Sequence, residues 1–316
     1  MIIRTCQPGD IEHEAAVYNA AAASLPGFRP VSVDDIRRGA NGRYEPGTRF
    51  YAEDAGRVVG YATFDPTGRV HYPWCLPGYE RMAHMLLVAV LRDLAGRQVT
   101  RASVTCRPDW PDQVEFFEDF GFEKVRDMVT FAQSIGDLPT MFQRPGLNVT
   151  LVQPDDVPAV EALVPGLLRL KGKALADYLL RTPSLPADAV YVLRRKDGAP
   201  QGVGILIDNE ACPGVDEIDA TAPTYWFGAF GTEGLPAKRV NGLFSFLAPR
   251  GKDAQLIGQD LLWYGTSRME SNSFNWLAAQ VPSDAVHLLA FYERYFQKRG
   301  SFPVFERVVG TSGSRF

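Results

Sequence analysis

The residue types that most often carry chemistry contribute little here. The four cysteines (Cys6, Cys75, Cys106, Cys212) stand at no metal-ligand or redox spacing and form no CxxC. The four histidines (His13, His71, His84, His287) form neither HExxH nor a cluster, so no metal site is expected. Cys75 and His71 could pair as nucleophile and base, but nothing in the sequence orients them. The acidic stretch Asp216 to Asp219 offers too few carboxylates for a cation. Glu233 is a better candidate. It lies in Tyr225-Trp226-Phe227-Gly228-Ala229-Phe230-Gly231-Thr232-Glu233-Gly234, followed by Lys238-Arg239 and the strand-like run Val240 to Phe246. Two aromatic strands joined by a Gly-rich turn can line a substrate slot, with Glu233 as a carboxylate able to take a proton. The same pattern also fits an ordinary hairpin with Glu233 in water. Lys238-Arg239 could hold an acidic substrate, or be two solvated charges.

Such residues need a scaffold, and the sequence repeats one. Ile2-Ile3-Arg4-Thr5-Cys6-Gln7-Pro8-Gly9-Asp10 near the start matches Val149-Thr150-Leu151-Val152-Gln153-Pro154-Asp155-Asp156 near the middle. Each is a β-prone run, then Gln-Pro, then an acidic residue able to cap a helix. Helical faces follow: Ile11, Ala15, Tyr18 and Ala22 in the first copy, Val157, Val160, Leu163 and Leu167 in the second. Hairpins come next, around Asp54-Ala55-Gly56 and around Asp197-Gly198. Each copy closes with an aromatic-rich helix and a strand, at Val114 to Phe122 and at Leu289 to Phe296. The second copy is longer, with its extra residues expected between Asn209 and Lys238. Residues 138–146, holding Pro139 and Pro145, read as a linker between domains at 1–137 and 147–316. The alternation of hairpins and helices predicts an α/β fold with mixed, mostly antiparallel sheets flanked by helices.

Composition agrees with a two-domain globular chain. Its 316 residues are 46% hydrophobic and 22% charged, with a net charge of −4. There is no basic excess for gripping nucleic acid. No run of about 18 apolar residues suggests a membrane span. The opening residues show no secretory signal, and the sparse cysteines fit a reducing compartment, so a cytoplasmic location is expected.

The order strand, helix, hairpin, central strand, long helix, strand, aromatic helix resembles the GNAT superfamily of N-acetyltransferases, once per half. The resemblance is best at Ala55 to Ala62, at Phe116 to Phe122 and at Leu289 to Arg294. It implies acetyl-CoA as cosubstrate, with the pyrophosphate at the N-terminus of the long helix, where free N–H groups and the helix dipole favour an anion. It also implies a splay between the central strand and the next one, and a tyrosine on the following helix as general acid to the departing thiolate.

In the first copy the family's phosphate pattern lies on Gly78 to Ala83, with Glu80 and Arg81 where the loop should be open, and Phe117 replaces the tyrosine. That half is expected to be non-catalytic. In the second copy the tyrosine is Tyr292, the pattern reaches Gln255 and Gly258, and Arg250, Gly251 and Lys252 precede the helix. The resemblance thus implies acetyl transfer to a primary amine of a small molecule or peptide in the C-terminal half, with Tyr292 and Glu233 as the reacting pair. The chain would be a monomer with an internal pseudo-dimer, or a homodimer. Two alternatives keep the fold: a non-enzymatic binding protein, and a transferase using another acyl or aminoacyl donor.

Overall fold

Both halves begin on the same turn. The Asp10 carboxylate accepts the Gln7 N–H at 2.6 Å, and Asp156 accepts the Gln153 N–H at 2.8 Å. An arginine grips each carboxylate with both arms: Arg4 on Asp10 at 2.6 and 2.9 Å, Arg194 on Asp156 at 2.8 Å twice. These acidic residues therefore fold backward onto the turn and do not cap the helices that follow. The computed structural model describes residues 1–39, 46–66, 68–139, 146–164, 167–168, 170–181, 185–212, 214–215, 240–268 and 274–310.

The first half runs β1 (Ile2–Thr5), α1 (Ile11–Ala22), α2 (Val33–Gly39), β2 (Arg49–Asp54), β3 (Arg57–Thr63), β4 (Trp74–Cys75), α3 (Met82–Gly96), β5 (Arg101–Thr105), α4 (Pro111–Asp119) and β6 (Glu123–Ser134). The second runs β7 (Asn148–Leu151), α5 (Val157–Leu163), α6 (Gly172–Arg181), β8 (Val190–Arg194), β9 (Pro200–Leu206), β10 (Phe244–Leu247), α7 (Ala254–Ser267), β11 (Trp276–Pro282), α8 (Val286–Tyr295) and β12 (Gln297–Val308).

Two compact units result, Met1–Val125 with Pro303–Phe316, and Arg126–Phe302. In the first, β1 to β4 form an antiparallel sheet in sequence order. The β2–β3 hairpin turns on Ala55 and Gly56, both left-handed at φ 49° and 81°, the conformation a tight two-residue hairpin requires. Helix α3 packs Leu86, Leu87, Val90, Leu91 and Leu94 into the core beneath β2 and β3. Strand β5 pairs with Val304–Val308 of β12, whose Phe305 joins the same core.

The second unit repeats this plan. Strands β7 to β10 form an antiparallel sheet, and β11 pairs along its length with Met128–Ser134 of β6. Val129 and Phe131 of β6 belong to this unit's core. Each unit thus takes its closing strand from the other half of the sequence.

Each unit also holds a parted pair of central strands. A single parallel bridge, Arg69 to Ser103, joins the two central segments of the first unit; past it β4 pairs with β3, and β5 with β12. In the second, Leu243 bridges Ala278, and past that point β10 pairs with β9, and β11 with β6. Among the described residues, no helix is long and apolar enough to cross a membrane.

Candidate active site

The C-terminal splay lies between β10 and β11. Leu243 O accepts the Ile207 N–H just past the end of β9, so alternation turns the peptides of Ser245 and Leu247 toward β9. The peptides of Phe244 and Phe246 then face the gap. Side chains alternate too. The Phe244 and Phe246 rings lie against Phe291 and Tyr292 of α8, which leaves Ser245 on the opposite face.

Tyr292 is 1% exposed. Its ring stacks on Phe131 at 5.6 Å and meets Phe246 at 5.7 Å and Phe296 at 5.3 Å. Its hydroxyl makes no hydrogen bond of ordinary geometry. The polar groups nearest to it are the Ser245 hydroxyl and the Phe246 peptide, both of which favour the phenolate. Burial outweighs them and pushes the phenol pKa well above its ordinary value, so Tyr292 keeps its proton throughout the neutral range.

The loop before α7 holds the other candidates. Arg250, Gly251 and Lys252 are exposed. Gly251 is left-handed at φ 154°, and a side chain built there would meet open space. No side chain caps the α7 N-terminus. Gln255, in its first turn, accepts from Arg294 Nη1 at 3.3 Å. His287 Nε2 lies 3.1 Å from Ala248 O. Burial, with Arg250 adding to it, lowers the His287 pKa and keeps the ring neutral, although the Ala248 bond works the other way. Gly258 sits apart from this loop. It is buried in the second turn of α7, where an added Cβ would lie 2.8 Å from both Phe246 and Phe291. Its missing side chain is what lets those rings approach the helix. Glu233, the run Tyr225 to Gly234, Lys238-Arg239 and Asp216 to Asp219 lie outside the described residues.

The N-terminal splay differs at each matching position. Phe117, fully buried, has no proton to give. In the loop before α3 the Glu80 carboxylate accepts the Gly78 N–H at 2.7 Å, and this bond, followed by one to its own N–H, lowers its pKa. An internal anion therefore holds the Gly78 and Glu80 N–H groups of this loop, while the Tyr79 hydroxyl donates to Asp54 at 3.1 Å. The Cys75 thiol is pushed up to about 12 by burial and then by Glu80, which makes it a thiol and not a nucleophilic thiolate. Among the described residues, no group of three or more His, Cys, Asp or Glu side chains could hold a metal ion.

Two buried polar residues beside the splay were not evident from sequence. Ser245 on β10 and Gln280 on β11 lie on the face away from α8, and the one available signal was a glutamine inside the apolar run Leu277 to Val281.

No protein-family model matches the sequence, and no curated protein matches it either. Solved structures do. A GCN5-related N-acetyltransferase from Sphaerobacter thermophilus superposes with a TM-score of 0.63 at 14% identity, covering 98% of this chain and 95% of that one. A tandem GNAT protein from the clavulanic acid biosynthesis pathway gives 0.56 at 14% identity, covering 99% of each chain. A GNAT-family acetyltransferase from Colwellia psychrerythraea gives 0.51 at 11% identity, covering 98% of this chain and all of the other. At these identities the likeness is one of fold. The chain has the GNAT fold in a tandem, two-unit arrangement.

Proposed function

We propose that the chain is an N-acetyltransferase whose C-terminal unit moves an acetyl group from acetyl-CoA to a primary amine. The observation that carries this reading is the Tyr292 hydroxyl: buried, protonated, without a hydrogen bond of ordinary geometry, and set at a strand splay near the Ser245 hydroxyl and the Phe246 peptide. A protein that did not use this hydroxyl would be better served by phenylalanine.

The residues before α7 fit the donor. Arg250 and Lys252 bring positive charge to an uncapped helix N-terminus, and Gly251 lets the backbone bend around phosphates. Gln255, tied to Arg294, borders the same turn. Gly258 serves the site by bringing Phe246 and Phe291 against α7. The N-terminal loop does not fit the donor, because Glu80 already holds its N–H groups and would repel a phosphate. When bound, acetyl-CoA supplies the thioester. The amine nitrogen forms a bond to the acyl carbon as the carbon–sulfur bond breaks. Tyr292 hands its proton to the departing sulfur, and the nearby Ser245 hydroxyl and Phe246 peptide favour the phenolate that results. The proton lost by the amine goes to a base, for which Glu233 remains the candidate.

The reading is tested by melting the protein with and without acetyl-CoA. A ligand at 100 times its Kd stabilises the native state by about 2.7 kcal/mol, so the Tm should rise. The rise should shrink in the double variant Arg250→Ala/Lys252→Ala. A flat Tm up to about millimolar acetyl-CoA would overturn the reading.

A second expectation follows from His287. Its depressed pKa means the folded state binds fewer protons than the unfolded chain below the ordinary histidine pKa of about 6.5. Stability is therefore fully present above that pH and declines as pH falls. Phosphates drawn to Arg250 would cancel the repulsion His287 feels and raise its pKa. Binding of acetyl-CoA should then take up protons. Between about pH 8 and pH 6, affinity should gain more in the wild type than in His287→Asn, by isothermal titration in two buffers. Equal pH profiles for the two proteins would contradict the assignment of this loop.

A further inference from the structure

The C-terminal unit leaves three buried polar side-chain atoms without partners among the described residues. Arg126 Nε belongs to a guanidinium already paired with Asp284. The other two, on Tyr292 and Gln280, both lie at the splay. Gln280 is 3% exposed. One end of its amide reaches Thr130 Oγ1 at 3.3 Å, and the other end bonds nothing. A buried amide with half its capacity unused destabilises a fold, and such groups are uncommon in native proteins.

The register places this orphan. Leu243 and Ala278 form the last bridge before the strands part, so their side chains share a face. Ser245 and Gln280 are each two residues further on, and therefore face the same side across the gap. Phe131 and Ala279, the residues that alternate with Thr130 and Gln280, are on the side where Tyr292 packs. Gln280 thus faces away from α8, while the Tyr292 hydroxyl has Ser245 among its nearest polar groups. The splay leaves β10 and β11 without ladder bonds between them, with α7 and α8 on one side. A donor held at the α7 loop fills that side, so an attacking amine has to come from the other.

We propose that Gln280 is a positioning residue for the acceptor, and that its free amide end bonds a neutral amide or hydroxyl group carried beside the reacting nitrogen. This rests on reading the C-terminal splay as the acyl-transfer slot. The class of acceptor follows from the face itself. Along the paired stretch the β6 and β11 residues that share it are Met128, Thr130, Ala132, Ser134, Trp276, Ala278, Gln280 and Pro282, none of them charged, and Arg126, the next β6 residue on that face, is already paired with Asp284. A carboxylate or phosphate next to the amine would be buried there without an uncommitted counter-charge, whereas an amide or hydroxyl pairs with the open end of Gln280.

The test uses Gln280→Met in the full chain, which keeps the length of the side chain and removes its polar end. Three quantities are measured: the Tm, the Tm rise with acetyl-CoA, and steady-state acetylation of glycinamide, n-propylamine and glycine. The wild type is expected to prefer glycinamide. The variant should raise the KM for glycinamide about 10-fold, the worth of one neutral hydrogen bond, with the KM for acetyl-CoA and the kcat unchanged. Its Tm without ligand should stay within about 2 °C of the wild type, because the loss of the long Thr130 bond is offset by removal of an unpaired buried group. A Tm lowered by well over that would show that the amide is a structural bond, and an unchanged glycinamide preference would remove it from the acceptor path; either overturns the proposal. Acetyl-CoA binding without turnover of any of the three amines would overturn the acceptor class alone. No acetyl-CoA effect on the wild type would instead overturn the reading of the slot, and this proposal with it.

Discussion

Tyr292→Phe is expected to lower kcat by roughly 10²–10⁴-fold, the usual worth of a positioned general acid, with no loss of stability. The second half of that statement comes from the structure. The ring is held by Phe131, Phe246 and Phe296, all of which phenylalanine would still meet. Only the hydroxyl is lost, and it makes no hydrogen bond of ordinary geometry. A structurally bonded hydroxyl would cost about 1–2 kcal/mol on removal; here the Tm should hold or rise slightly. Affinity for acetyl-CoA should change little, since the loop at Arg250 to Lys252 is untouched. The informative pair of measurements is turnover and Tm on the same variant. A lower Tm with normal turnover would assign Tyr292 to the core and remove it from the chemistry.

The second large effect concerns strand origin. Residues 147–316 hold every candidate for catalysis, yet expressed alone they should not fold to an active unit. They lack Met128–Ser134 of β6, which pairs with the whole of β11, and with it Phe131, the ring that stacks on Tyr292. Removing a buried phenylalanine side chain alone costs about 3–5 kcal/mol, a large share of a typical total stability of about 5–15 kcal/mol. The bare edge of β11 would also invite aggregation. The reciprocal fragment, 1–137, lacks Val304–Val308 opposite β5 and loses Phe305 and Val309 from its core. Solubility, circular dichroism melts and hydrogen exchange on each fragment check this. A cooperative melt for either fragment near the full-length Tm would contradict it.

Much of the plan could be read from residue order. The Gln-Pro turns, the hairpin at Ala55-Gly56 and the helix beginning at Ala254 stand where local chemistry puts them, because turn carboxylates, left-handed turn residues and apolar stripes act over a few positions. The second copy's apolar stripe continued to Leu167, but α5 ends at Leu163, before Pro165-Gly166; Leu167 is buried outside any helix. Gly258 matched a phosphate pattern by spacing, whereas its close contact with Phe246 and Phe291 is a tertiary fact. The exchange of closing strands was not legible. β6 and β12 are 12 residues long each, about twice the usual strand, but length does not name a partner. Gln280 was hidden for the same reason: its role depends on which strand lies beside β11 and which face the helices cover.

Acetyl-CoA is expected to bind at the α7 loop and to leave the α3 loop alone. Hydrogen–deuterium exchange on the full chain, with and without acetyl-CoA, tests it most directly. Exchange should slow in residues 248–258 and along β10, where backbone N–H groups would gain partners, and should not change in residues 76–86, where Glu80 already occupies the loop. Protection confined to residues 76–86 would contradict it, and so would no protection anywhere at saturating ligand.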